Sequence, residues 1–140
     1  MSKASLMNNI NIIRLLQRAT DSLRLAEEES NRPSGDTVSY CICHHSKQAL
    51  ADLLMSFLLM NGVDASGTGR LEDLRKMCSA IDKNFEGLEF EGMECHPTKI
   101  ENEEHYCLEI ARVEECLKIA NRAKDMVWLA YRKKEKNYSN

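Results

Sequence analysis

Apolar residues recur along this chain at spacings of three and four, the pattern of helices that bury one side. Leu6, Ile10, Ile13, Leu16, Thr20 and Leu23 share one face of a helix expected over residues 5–30, and Arg14, Arg18, Asp21 and Arg24 fall mainly on the other. The run Glu27, Glu28 and Glu29 sits at the negative end of that helix dipole, which predicts fraying. Pro33 and Gly35 then break the pattern. A second helix is expected over residues 37–61, with Asp36 or Thr37 as N-cap and Gly62 in a left-handed position past its end. Residues 49–60 are apolar almost all round, so this helix is either central in a bundle or covered on a second side by a partner chain. The third helix, residues 70–85, carries Leu71, Leu74, Cys78, Ile81 and Phe85 as its stripe. An irregular connector over 86–94 and Pro97 lead to a last helix over 101–134, with Thr98 as a possible cap. Tyr106, Ile110, Val113, Leu117, Ala120, Val127 and Tyr131 are in register on it, and basic residues fill its final turns. The expectation is one all-α domain, residues 1–140 with its core at about 5–134, folded as an antiparallel bundle of four main helices.

Composition narrows the function classes. At 140 residues there is room for one domain and not for a catalytic domain beside a cofactor domain. A chain of this size buries about 68–70% of its unfolded surface and needs no staples. Lys and Arg number 19 against 22 Asp and Glu, so nucleic acid is not bound by bulk positive charge. Residues 1–9 hold no apolar signal core and no stretch reaches the length of a membrane span, so the expected compartment is the cytoplasm and no membrane contact is expected. There the cysteines, Cys41, Cys43, Cys78, Cys95, Cys107 and Cys116, are expected as reduced, small buried residues rather than as disulfides.

Local clusters of reactive side chains carry modest signals. Cys41, Cys43, His44 and His45 include two metal-ligand types, and Cys41 and His45 share a helical face at i, i+4. A structural zinc site takes four ligands in paired short spacings, and no second pair of that kind follows; no metal and no cofactor is expected. Cys95, between Glu94 and His96, is the cysteine best placed for a reactive thiol. Arg132, Lys133, Lys134 and Lys136 read as a solvated helix end. Met55 and Met60 near Phe57 read as core.

Three stretches together resemble a known family. They are Ala19 to Ala26 (Ala-Thr-Asp-Ser-Leu-Arg-Leu-Ala), the helix from His44-His45-Ser46-Lys47-Gln48-Ala49-Leu50 through Leu58-Leu59-Met60-Asn61-Gly62, and Gly69-Arg70-Leu71-Glu72-Asp73-Leu74. In order and spacing they resemble the HEPN superfamily of small helical bundles, over residues 10–131. That resemblance implies a homodimer formed through the long central helix, here 37–61. It also implies one of two roles: metal-independent ribonuclease, or nucleotide-binding module that pairs with a minimal nucleotidyltransferase.

The ribonucleases of that superfamily carry an Arg-x(4-6)-His motif near the start of the last helix. None of His44, His45, His96 and His105 has an Arg at that spacing before it. Lys99, followed by five residues and then His105, is the nearest imitation. His supplies acid–base catalysis at a ribose hydroxyl and the cation steadies phosphate charge, but Lys lacks the forked donors of Arg. Glu101, Glu103 and Glu104 around His105 would also repel phosphate. Cys95-His96-Pro97 stands where many relatives carry Arg-Tyr-Pro. Both departures favour a non-catalytic module that binds a nucleotide, an RNA or a nucleotidyltransferase, with His45, Arg70 and His96 as candidate ligand-binding residues. The alternatives are a divergent ribonuclease using Lys99 and His105 and a purely structural protein-interaction domain.

Overall fold

The most apolar segment of the chain forms α2 (Ser39–Met60), around which the other helices gather. The computed structural model of the protein describes residues 3–32, 39–65, 67–68, 70–88 and 110–138. Within them α2 packs against α1 (Lys3–Ser30), α3 (Leu71–Ile81) and α4 (Ile110–Tyr138), and α1 also touches α4. A 3-10 turn, Lys83–Gly87, follows α3, and no strand occurs among the described residues. The all-α, four-helix architecture is the one the periodicity leads to.

Neighbours within the chain account for the all-round apolar character of α2. Leu50, Leu53, Leu54 and Leu58 have no exposed surface, and Phe57 is buried with them. Only Ala51, Met55 and Leu59, at i, i+4 and i+8, remain partly exposed on the central half of the helix. Burial on this scale is the main favourable term in folding, about 1.5–3 kcal/mol for each large apolar side chain removed from water.

Cross-helix contacts set the directions. Arg18 meets Asp52, and Ala26 packs with Ile42 and Cys43, so α1 and α2 are antiparallel. Cys116 meets Cys43 near the start of both helices, and Lys134 reaches the carbonyl of Met60 near their ends, so α2 and α4 run the same way. Three helices in mutual contact cannot all be antiparallel, and here α1 opposes the other two.

The buried faces are rotated from those the large residues suggest. On α1 the core side is Ile12, Leu16, Ala19, Leu23 and Ala26, together with Ser22, whereas Ile10 is 37% exposed and Thr20 lies at the surface. Thr20 bonds back to the Leu16 carbonyl at 2.9 Å. On α4 the buried set is Cys116, Ile119, Ala120, Ala123, Val127 and Tyr131, with Leu117 only partly covered. Alanine, serine and cysteine decide these faces. Ala19 and Ser22 of α1, Cys43, Ser46 and Ala49 of α2, and Cys116, Ala120 and Ala123 of α4 are all buried. Small side chains at a helix contact let the axes approach closely.

The helix ends also differ in part from expectation. α1 is regular through Ser30, with no fraying at the glutamates. Arg32 pairs with Glu29 at 3.4 Å, and the Asn121 amide of α4 donates to Glu27 at 3.2 Å, so both carboxylates have partners that offset the dipole. α2 stops as expected: Gly62 has φ +79°, Val63 N–H donates to Leu58 O at 2.8 Å, and Gly62 N–H donates to Leu59 O at 3.0 Å. This is the Schellman arrangement, in which glycine takes the left-handed position. α3 stops at Ile81 rather than at residue 85 because Asp82 turns extended and its carboxylate accepts from Asn84 N–H at 3.0 Å. That cap starts the 3-10 turn and delivers Phe85 to the core, while Ile81 is left 44% exposed. Phe85 packs on Phe57 with ring centroids 4.4 Å apart. α4 extends to Tyr138, one turn past the expected end; the expected Asp36, Thr37 and Thr98 caps and the 101–109 start of the last helix lie outside the described residues.

Candidate functional site

Where the last turns of α1 run beside the first turns of α2, the two helices leave a cleft of about 250 Å³. Leu25, Glu28 and Glu29 line it from one face of α1, at i, i+3 and i+4, and Arg32 lines it from just past the end of that helix. Cys41 and His45 line it from α2, one turn apart. The i, i+4 relation expected for Cys41 and His45 therefore holds, and both side chains look into the same space.

Helix geometry divides the rest of the Cys-x-Cys-His-His cluster. Residues two apart on a helix face away from each other. Cys43 accordingly points inward, where it is 1% exposed, while Cys41 stays at the cleft. His44 is exposed and meets His45 edge to face, with centroids 5.5 Å apart. Among the described residues no three His, Cys, Asp or Glu side chains converge on a point where a metal ion could sit.

His45 is the chemically distinctive member of the cleft. Its Nδ1 is buried and has no hydrogen-bond partner. Desolvation, and then the neighbouring His44, push its pKa below the ordinary value, which favours the neutral imidazole. A neutral imidazole offers one donor and one acceptor nitrogen, and the buried Nδ1 fills neither role here. Around it the cleft presents the Arg32–Glu29 pair, the Glu28 carboxylate, the Cys41 thiol and the Leu25 side chain, which is 43% exposed.

No known protein family, curated protein or solved structure matches the chain.

The other residues singled out by sequence do not join His45. Arg70 is exposed beside the N-terminus of α3, makes no capping bond there, and does not line the cleft. His96, Lys99 and His105 lie outside the described residues, as do Cys95 and Cys107. Among the described residues no helix is long and apolar enough to cross a membrane.

Two pairings escaped the sequence reading. Asp52 belongs to the apolar run of α2 and is only 2% exposed, and Arg18 of α1 holds it with two hydrogen bonds. Cys43 and Cys116, both buried, share a thiol hydrogen bond between α2 and α4. The signal for the first was a lone carboxylate inside a leucine-rich helix, since a buried charge demands a partner. For the second the sequence carried no signal.

Proposed function

We propose that the chain is a HEPN-like binding module that acts through the α1–α2 cleft without catalysing a reaction. The observation that carries this reading is the cleft itself, lined by His45, Cys41 and the Glu28 and Glu29 carboxylates and flanked by exposed Leu25. Phosphate is the wrong charge for a surface that presents Glu28 and Glu29 and whose arginine is already paired with Glu29. A protein surface with apolar and basic groups suits it better, and the HEPN resemblance supplies the class of partner, a minimal nucleotidyltransferase. Homodimerisation belongs to the same reading. It would use the Ala51, Met55 and Leu59 stripe, apolar residues of α2 that stay partly exposed.

The test follows the His45 imidazole resonances by NMR while the chain is titrated with a minimal nucleotidyltransferase, with ATP and with a short single-stranded RNA. The proposal expects shifts with the protein partner that vanish in His45→Ala, and intact RNA throughout. Shifts with ATP alone would replace the protein partner by a nucleotide. RNA cleavage lost in His105→Ala would replace the module by a ribonuclease. Sedimentation equilibrium gives the oligomeric state, and a monomer at all concentrations would remove the dimer.

A further inference from the structure

We infer that the Asn61–Gly62 step at the end of α2 is a deamidation site that the docking of α4 keeps closed. The inference is independent of the role proposed for the α1–α2 cleft.

An asparagine loses its side-chain nitrogen when the backbone nitrogen of the next residue attacks its amide carbon. A side chain on that next residue obstructs the approach, whereas glycine has no Cβ and lets the backbone rotate into position. Asn61 is the one asparagine of this chain followed by glycine. Both residues are exposed, and a Cβ on Gly62 would meet nothing within 4 Å, so a five-membered ring and water have room there.

In the folded chain the reacting atoms are held apart. Asn61 Nδ2 donates to Phe57 O at 2.8 Å, which aims the amide at the preceding turn of α2 rather than at Gly62. Gly62 N–H donates to Leu59 O at 3.0 Å, which retains the proton that the attacking nitrogen must lose. The third restraint crosses from α4: Lys134 donates to Asn61 Oδ1 at 3.3 Å, and to the carbonyl of Met60 beside it. The first two belong to the end of α2, where a helix frays, and Lys134 fixes that end to the bundle.

The reaction balances with water as its only co-reactant. Gly62 N gives up its proton and bonds to Asn61 Cγ, the Cγ–Nδ2 bond breaks, and ammonia leaves with that proton. Water then opens the ring at either carbonyl and leaves an aspartate or an isoaspartate at position 61. Either product puts a negative charge at the negative end of the α2 dipole and removes the donor that Phe57 O accepts. Isoaspartate also adds a methylene to the main chain inside the Schellman turn, which puts the turn's hydrogen bonds out of register.

The experiment incubates the full chain in warm, mildly alkaline buffer, with and without unfolding guanidinium chloride, and follows each asparagine by peptide mapping and mass spectrometry. The proposal expects Asn61 to convert in denaturant, with isoaspartate among the products. In buffer alone the conversion should be at least about tenfold slower, because hydrogen bonds must open first. Lys134→Met, shown to be folded by circular dichroism, should raise the rate in buffer about fivefold and leave the rate in denaturant unchanged. Asn121, followed by Arg122, should keep its amide under both conditions. The comparison of the two solvents is read on the unmutated chain, so it stands even if the variant folds poorly. Equal rates with and without denaturant would overturn the proposal, as would an Asn61 that survives in denaturant or a folded Lys134→Met chain that converts no faster than its parent.

Discussion

Arg18 holds Asp52 through two hydrogen bonds, Nε to Oδ2 at 2.8 Å and Nη2 to Oδ1 at 2.7 Å, across 34 positions of sequence. The partners are unequally placed, with the Asp52 side chain 2% exposed and the Arg18 side chain 59% exposed. The bond to Asp52, and then its charge, raise the Arg18 pKa further above its ordinary value, so the arginine stays charged at every usable pH.

That asymmetry predicts unequal mutants. Arg18→Ala strands a buried carboxylate and should cost about 2 kcal/mol, less than the ~3–5 kcal/mol of a wholly buried pair because water screens the exposed partner. Asp52→Leu removes the buried charge and leaves Arg18 in water, so it should change stability by less than about 1 kcal/mol. Urea unfolding of the two single mutants and the double mutant gives the coupling. Equal losses in both single mutants would contradict the assignment.

His45 gives the bundle a pH response of known sign. Its folded pKa lies below the ordinary 6.5 because burial disfavours the charged ring. Between those two values the unfolded chain binds a proton that the folded chain does not, so stability falls as pH drops through this window. Urea midpoints measured from about pH 7.5 down to about pH 5 should decline, and His45→Gln should flatten the decline.

Phe85 reaches the core through the 3-10 turn rather than from a helix, against Phe57 at 4.4 Å. Phe85→Ala should therefore cost about 3–5 kcal/mol by leaving a cavity between α2 and the turn. Loss of less than about 1 kcal/mol in thermal or urea unfolding would show that the turn collapses to fill the space.

Lys134 of α4 donates to the Met60 carbonyl and to Asn61 Oδ1, the latter at 3.3 Å. Its charge lies at the negative end of α2, where a cation is favoured. Lys134→Met keeps the aliphatic stem and should cost about 1 kcal/mol. The cost should shrink in high salt, as read from melting temperatures at two ionic strengths.

How far the fold was legible depends on residue size. Leucine, isoleucine and phenylalanine marked the helices and the central position of α2, because large apolar side chains must leave water. Their rotation was misjudged on α1, where Ala19 and Ala26 outweigh Ile10 and Thr20 in the interior. Alanine adds little to a hydrophobic pattern, yet it selects the face on which two backbones can touch. The end of α3 was misplaced for a different reason: Asp82 caps a turn that carries Phe85 inward at nearly the position a longer helix would give it. At the cleft, the Cys41 and His45 spacing was readable because it is local, whereas the α1 residues opposite them come from a contact that periodicity does not encode. The same limit hid the partners of Asp52 and Cys43.

The central place of α2 also governs the order in which the chain can be completed during synthesis. One flank of α2 is sealed by Ile119, Ala120, Ala123 and Val127, which belong to α4 and are synthesised well after α2. At about 5–20 residues per second, the leucine-rich helix spends seconds outside the ribosome before that cover exists. During this interval it is a target for chaperones and for aggregation with other nascent copies. A chain without α4 would keep that exposure indefinitely, so a premature stop before Ile110 should give an insoluble product rather than a smaller bundle.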